Sequence, residues 1–199
     1  MKKCTFLYFF IKRLSDVILS FPVVILLIPI WIVCALIIKF DSPGETIYRQ
    51  QRLGKNMKPF TILKFRSMYV DAEKSGPKLS CSSDNRITRF GKFLRRSHLD
   101  ETPQFLNILR GDMSIVGPRP ERPFFVKQII ASSPEFAVVY MITPGLTSLG
   151  QIRFGYAENI SQIITRARYE LFYLQKRSLS FDFKIFFLTF VSIIKDLLR

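Results

Sequence analysis

Histidine is almost missing from this chain. His98 is the only one in 199 residues, which excludes a histidine-built metal site and a histidine relay. Cysteine is scarce too. Cys4, Cys34 and Cys81 are odd in number, lack metal-ligand spacing and read as free thiols of a reducing compartment. Acidic residues are few, 15 Asp+Glu against 30 Lys+Arg, for a formal charge of +15. That imbalance asks for a polyanionic partner: nucleic acid, anionic lipid or a phosphorylated substrate. Internal repeats and low-complexity tracts are absent. Hydrophobic residues, by contrast, make up 48% and phenylalanine alone numbers 20. The mix suits a basic protein seated on an acidic membrane face rather than a soluble nucleic-acid binder, so membrane lipid is the expected partner and nucleic acid is not.

Residues 17–38 carry no charge. As a straight helix they would run about 33 Å, close to a bilayer core of roughly 30 Å. No small-residue cleavage site follows, which argues against a secretory leader. Pro22 and Pro29 sit inside the run, and Pro29 removes a helix donor and crowds the Ile25 carbonyl, so a bend is expected there. Both flanks are basic: Lys2, Lys3, Lys12 and Arg13 before, Lys39, Arg49, Arg52 and Lys55 after. Both satisfy the positive-inside tendency if the segment enters and returns through one face, as a kinked re-entrant helix does; a kinked spanning helix is the alternative. The expected organisation is therefore a membrane helix over residues 1–40 and a cytoplasmic-face domain over 41–199.

Residues 45–50 and 59–66 read as two short strands around a Leu53–Asn56 turn, with Lys64 and Arg66 on one side of the second strand, where they face a ligand or merely solvent. Residues 71–85 are polar and read as a mobile loop beside the site. Residues 86–96 form a basic helix capped by Asp84. Two short helices split at Ser133-Pro134 follow Pro120, residues 146–157 read as loop, and 158–177 as an amphipathic helix. The last segment, 181–198, carries Phe183, Phe186, Phe187 and Phe190, and either completes the core or lies in the membrane interface. The fold class is mainly α with a small β-hairpin, an α+β arrangement with a re-entrant membrane helix and amphipathic interfacial helices.

The chemistry concentrates in Leu99–Pro120. Asp100-Glu101 stands at what reads as a helix start, near free amides and the positive dipole end, where carboxylates stay ionised and phosphates bind. A charge pair that merely stabilises a helix start has the same appearance. Adjacent helical carboxylates diverge by about 100°, so they do not flank a glycosidic bond. One acid attacking a diphosphate needs cations against the repulsion, and Arg86, Arg95, Arg96 and Arg119 offer planar, bidentate donors. A hard divalent ion, Mg²⁺, suits the same task. Gly117-Pro118-Arg119-Pro120 presents Arg119 on a rigid loop, either to phosphate or to a carboxylate such as Asp112.

These motifs stand in an order that is recognisable. Lys12-Arg13 with Asp16, Ser42-Pro43-Gly44, Lys64-Phe65-Arg66-Ser67-Met68, Asp84–Arg95, Leu99-Asp100-Glu101, Gly111-Asp112-Met113-Ser114, Val116–Pro120, Pro144-Gly145 and Gln151 run nearly end to end. The chain resembles the monotopic phosphoglycosyl transferases, bacterial sugar transferases that start glycan assembly on polyprenyl phosphate. The resemblance implies that Asp100 attacks the β-phosphate of a UDP-sugar, releases UMP and carries the phosphosugar until polyprenyl (undecaprenyl) phosphate takes it. Glu101 would assist by proton handling or through Mg²⁺, with Asp100 and Glu101 as the metal ligands. Lys64, Arg86, Arg95, Arg119 and Glu170 would contact substrate phosphates or nucleotide. The implied location is the cytoplasmic face of a bacterial inner membrane. The chain departs from the pattern at Ile28, where serine commonly precedes the breaking proline, and at Ser148, Gly150 and Glu170, where Gly, Ala and Asp are common. A non-catalytic basic membrane module and a UDP-sugar hydrolase are the competing functions. The sequence assigns neither the sugar nor the oligomeric state.

Overall fold

The computed structural model describes residues 2–74, 76–81, 84–155 and 157–198, without the side chains of 2–5, 197 and 198. Lys2, Lys3 and Cys4 therefore lie outside the described side chains, as do Ser75, Ser82 and Ser83 of the expected loop. Cys34 and Cys81 are free thiols, Cys34 buried and Cys81 exposed.

Helix α1 (Lys2–Asp41) runs unbroken through both Pro22 and Pro29. Its Phe6–Asp41 stretch is long and apolar enough to cross a membrane, with mean hydropathy 3.0 over its most apolar window. Phe21, Ile25, Leu26, Ile28 and Ile30 in its middle are exposed. Both ends, by contrast, are tied to the rest of the chain. In the first half the Arg13 guanidinium donates to the Ile108 and Leu109 carbonyls at 2.5 and 2.8 Å, and the Asp16 carboxylate accepts from the Ile115 amide at 3.0 Å. In the second half Trp31 donates to the Thr102 hydroxyl at 2.9 Å, and Cys34 and Ile38 pack with Phe65 and Leu94. One domain thus holds the helix in both halves and leaves its apolar middle exposed.

The hairpin pairs β1 (Ile47–Leu53) with β2 (Pro59–Phe65), Tyr48 opposite Lys64. The first strand is longer than expected because the turn falls later, at Lys55–Met57, where Asn56 and Met57 take left-handed backbone angles. Arg66 lies beyond the strand and does not share Lys64's role: it is buried and donates to the Ile38, Ser42 and Pro43 carbonyls, capping the end of α1.

Beyond the hairpin come α2 (Arg89–Arg96), α3 (Gln104–Arg110), β3 (Ser114–Val116) and α4 (Pro123–Ser132). A 3₁₀ segment over Pro134–Met141 leads to β4 (Gly145–Thr147), α5 (Leu149–Phe154), α6 (Ile160–Lys176) and α7 (Leu179–Leu198). The cap of α2 is Thr88, whose hydroxyl accepts from the Gly91 amide, and not Asp84. The stretch after Pro144 is not loop. β4 pairs in parallel with β3, Ser114 opposite Gly145, and Ser148 caps α5 by accepting from the Gln151 amide. A three-residue parallel strand depends on a partner about thirty residues away, which no local pattern reports. Ile108, Met113, Val116, Leu149, Tyr173 and Ile185 form the main core. α7 completes the core through Ile185, which is buried, while Phe183, Phe187 and Phe190 are exposed.

Asp182 joins three helices. It accepts from the Tyr8 hydroxyl at 2.9 Å, the Lys12 ammonium at 2.8 Å and the Tyr173 hydroxyl at 2.7 Å. Replacing it by alanine leaves Lys12 without its buried partner. We expect Asp182→Ala to lose about 3 kcal/mol of stability, read as a lower melting temperature in detergent and faster proteolysis of the α1–α7 contact, with Asp182→Asn intermediate.

Candidate active site

The acid pair lies in a single 3₁₀ turn, Leu99–Glu101, and not at the start of an α-helix. Pro103 has no amide hydrogen, so the α-type bond back to Leu99 is unavailable. The chain instead closes shorter bonds, Thr102 amide to Leu99 carbonyl and Phe105 amide to Thr102 carbonyl, before α3 begins. His98 enters the turn with a φ of 56°, and α3 ends at Gly111 with a φ of 97°. Asn107 then sets the distance between α3 and the hairpin. Fully buried, it accepts from the Leu63 amide at 3.0 Å and donates to the Thr61 carbonyl at 2.8 Å, standing in for a missing strand neighbour of β2. Lys64, next along β2, is thereby brought against the acid pair.

Lys64 and Arg119 both bond Glu101 rather than Asp100. The Lys64 ammonium lies 2.5 Å and the Arg119 guanidinium 3.1 Å from the same oxygen, Glu101 Oε1. Burial by itself would raise the Glu101 pKa, but the two cations overcome it and hold this carboxyl well below the usual range. Asp100 is pushed the other way, to about 6, first by burial and then by the Glu101 charge, against the pull of Lys64, Arg95 and His98. Burial also lowers the Lys64 pKa, opposed by Glu101. Two adjacent carboxylates thus have distinct characters: one permanently anionic and engaged, one basic.

Arg119 sits where two segments of the chain cross. Gly117 donates to the Thr147 carbonyl at 3.0 Å and Gly145 to the Pro118 carbonyl at 2.8 Å. A Cβ on Gly145 would sit 2.1 Å from the Gly117 nitrogen, so this approach needs glycine. Arg52 holds the next carbonyl, Pro120, at 3.1 Å. The carboxylate that Arg119 meets is Glu101. Asp112, the partner suggested by proximity in sequence, instead accepts from Asn107 at 3.3 Å.

Arg95 and Arg86 are placed differently from each other. Arg95 feeds its charge to Asp100 and donates to the Ser67 and Ser80 hydroxyls at 2.9 and 2.7 Å. Arg86 forks onto Asp84, at 2.8 and 2.6 Å, and donates to the Leu79 and Ala72 carbonyls. It ties the 71–84 segment together and reaches Arg95 only through Asp84 and Ser80. Direct phosphate contact from Arg86 is not what this arrangement offers. The same segment is held at its other end by Glu73, whose two oxygens accept from Arg122 at 2.6 and 3.0 Å.

Glu170 is buried behind the Arg119 loop. Neither of its oxygens completes a hydrogen bond, while the Ser148 hydroxyl, Arg166 and the Arg119 main-chain N–H favour its charged form; burial dominates and pushes it up to about 7. Beside it lies a network that the sequence did not signal: Glu121 between Arg166 and Arg52, the latter 3.6 Å away. Burial lowers Arg52 to about 10. The acidic residue after Arg119-Pro120 was visible, but its partners lie 45 and 69 positions off and no spacing links them.

Among the described residues no group of three or more His, Cys, Asp or Glu side chains is gathered for a metal. Asp100 and Glu101 supply hard oxygens only, which fits Mg²⁺ completing its shell with water and substrate phosphates. It does not fit a metal caged by protein.

Glu170 has a measurable signature. Its folded pKa lies above the ordinary 4.5, so the folded chain binds this proton more tightly than the unfolded chain and stability falls as pH rises from 4.5 towards about 7. Glu170→Gln removes that fall. The melting temperature of the variant is expected to gain on that of the native chain across this window, measured by scanning fluorimetry in detergent.

Residues 7–196 match the family model described as bacterial sugar transferase. The chain is 36% identical over 94% of its length to a UDP-N-acetylgalactosamine-undecaprenyl-phosphate N-acetylgalactosaminephosphotransferase of Aeromonas hydrophila, covering 44% of that protein. It is 40% identical to a UDP-glucose:undecaprenyl-phosphate glucose-1-phosphate transferase of Caulobacter vibrioides, over 92% of this chain and 69% of the other. An exopolysaccharide production protein of Rhizobium leguminosarum is 37% identical over 92% and 94% of the two chains. The chain thus spans less than half of the Aeromonas relative and nearly all of the Rhizobium one. With one family model covering it almost end to end and the Caulobacter and Rhizobium relatives matched along more than two thirds of their own length, the chain belongs to the bacterial sugar transferase family.

Proposed function

We propose that this protein transfers a phosphosugar from a UDP-sugar to polyprenyl (undecaprenyl) phosphate at the cytoplasmic face of a bacterial inner membrane, through a covalent intermediate on Asp100. The observation that carries the reading is the division of labour in the acid pair: Glu101 neutralised between Lys64 and Arg119, Asp100 left as the buried, more basic carboxylate beside it. An Asp100 oxygen attacks the β-phosphorus. The bond from that phosphorus to the oxygen bridging the α-phosphate breaks, and UMP leaves. Polyprenyl phosphate then attacks the same phosphorus, the Asp100 oxygen leaves, and polyprenyl-diphospho-sugar forms. Splitting the transfer into two displacements is the gain of covalent catalysis.

The cations around the pair lower the repulsion between carboxylate and diphosphate. Lys64, Arg119 and Arg95 surround the pair and are the donors for the substrate's phosphates. Mg²⁺ held by Asp100 and Glu101 together with the diphosphate would add Lewis-acid stabilisation of the departing phosphate. The membrane helix supplies the second substrate's address. Trp31 bonds Thr102, the residue after Glu101, so α1 is tied beside the acid pair, and a re-entrant α1 would bring the pair to the lipid headgroups.

Incubation with candidate UDP-sugars and Mg²⁺, with and without polyprenyl phosphate, tests the reading. Without lipid we expect a burst of UMP no larger than the enzyme present and a phosphosugar adduct on the peptide containing Asp100. With lipid, turnover should follow. Continuous UMP release without lipid would mark a hydrolase, and no UMP from any sugar a binding module. Asp100→Asn should slow UMP release by about 10³-fold; full turnover in that variant would sink the nucleophile assignment. Chelation by EDTA is expected to bring release to background and added Mg²⁺ to restore it.

A further inference from the structure

The indole of Trp31 reaches both partners of the Lys64–Glu101 pair through their neighbours. Trp31 is the one tryptophan in the chain. With Cys34, Ala35 and Ile38 it forms the stripe of α1 that packs in one cluster with Phe65 and Leu99, while Ile30 and Ile32 on either side of it are exposed. Such a stripe can be wholly apolar, yet this one carries a chain of hydrogen bonds. The Trp31 N–H donates to the Thr102 hydroxyl oxygen at 2.9 Å, and the Thr102 hydroxyl donates to the Leu99 carbonyl at 2.7 Å. The same carbonyl accepts from the Thr102 amide at 3.2 Å. Thr102 thus closes the turn from Leu99 by its amide and again by its hydroxyl, and Asp100 and Glu101 are the residues enclosed. The Trp31 ring also meets the Phe65 ring edge to face, with centroids 6.5 Å apart and planes at 76°. Phe65 is buried and follows Lys64 on β2. One side chain of α1 therefore contacts the residue after Glu101 and the residue after Lys64, and the Lys64 ammonium and Glu101 carboxylate lie 2.5 Å apart.

We propose that Trp31 and Thr102 are a positioning pair for the acid turn. The indole N–H fixes the Thr102 hydroxyl on the Leu99 carbonyl, and the indole ring, lodged against Phe65, keeps the turn in register with Lys64. Both residues act on Asp100 and Glu101 through their neighbours. A misplacement of about 1 Å in a reacting group costs about 10²-fold in rate, so a single hydroxyl that closes the turn has kinetic weight. The effect of the pair on rate rests on the reading of Asp100-Glu101 as the reacting groups; its effect on the turn does not.

Hydrogen exchange and a double-mutant cycle separate the two effects. Trp31→Phe keeps a ring against Phe65 and removes the N–H. Thr102→Val keeps the shape and removes the hydroxyl, whereas Thr102→Ser keeps the hydroxyl. In detergent, Trp31→Phe is expected to speed exchange of the Thr102 amide about tenfold and to leave unchanged the Gly111 amide, which the Asn107 carbonyl holds at the far end of α3. Trp31→Phe and Thr102→Val should each lower kcat for UMP release about tenfold with KM for the UDP-sugar little altered, and Thr102→Ser should recover most of the rate. The double variant should be no slower than Thr102→Val alone, because both changes break one chain of bonds. Thr102→Val should also move the emission of Trp31 to shorter wavelength, as its N–H loses its acceptor, and Thr102→Ser should restore it. Native exchange of the Thr102 amide in folded Trp31→Phe overturns the proposal, and so does a double variant whose losses multiply to about a hundredfold. A Thr102→Ser variant as slow as Thr102→Val overturns the role given to the hydroxyl. Where Trp31→Phe fails to fold, the emission and rate of Thr102→Val against Thr102→Ser carry the comparison. If the native protein releases no UMP, the functional reading fails, and exchange and emission alone decide this one.

Discussion

A buried carboxylate that stays charged must be paired, and the pairing of Glu101 organises this protein. Lys64 comes from the hairpin and Arg119 from the loop after β3, and both end on one Glu101 oxygen. Removing both cations would leave an uncompensated charge in a low-dielectric site, a penalty of several kcal/mol. The hairpin, the 3₁₀ turn and the glycine crossing are therefore locked in one relative placement. Asp100 benefits as a neighbour. Burial first, and then the charge of the anionic Glu101, raise Asp100 above the ordinary aspartate range, and a more basic carboxylate is a better attacking group once cations screen the repulsion.

The same economy joins site to membrane. Helix α1 is not a detached anchor. Arg13 takes the C-terminal carbonyls of α3, Asp16 holds the start of β3, and Trp31 bonds the residue after the acid pair. The elements bearing the proposed chemistry are thus the elements α1 grips, which suits a reaction whose second substrate stays in the bilayer.

Much of this was legible in the chain. The apolar stretch, its basic flanks, the hairpin and most of the helices after it, α5 excepted, follow from charge, periodicity and turn residues, which are local properties. Asp100, Glu101, Lys64, Arg95 and Arg119 stood out by chemistry and do gather. Arg86 stood out equally and does not join them, because Asp84 lies close enough in sequence to claim its fork. Asp84 was misread as a cap for the same reason: a carboxylate before a helix fits both roles, and geometry chose the ion pair. The parallel β3–β4 pairing and the Arg52–Glu121–Arg166 network had no local signal at all.

The sequence by itself determined the charge balance, the long apolar segment and the residue types available for phosphate chemistry, since these depend on composition and short-range order. Only the tertiary structure decided which acid is engaged and which is left basic, and which arginines face the site. Those outcomes depend on burial and on charges brought within a few ångströms from positions far apart in the chain. The energy of a charge pair is set by distance and dielectric, and folding alone supplies both.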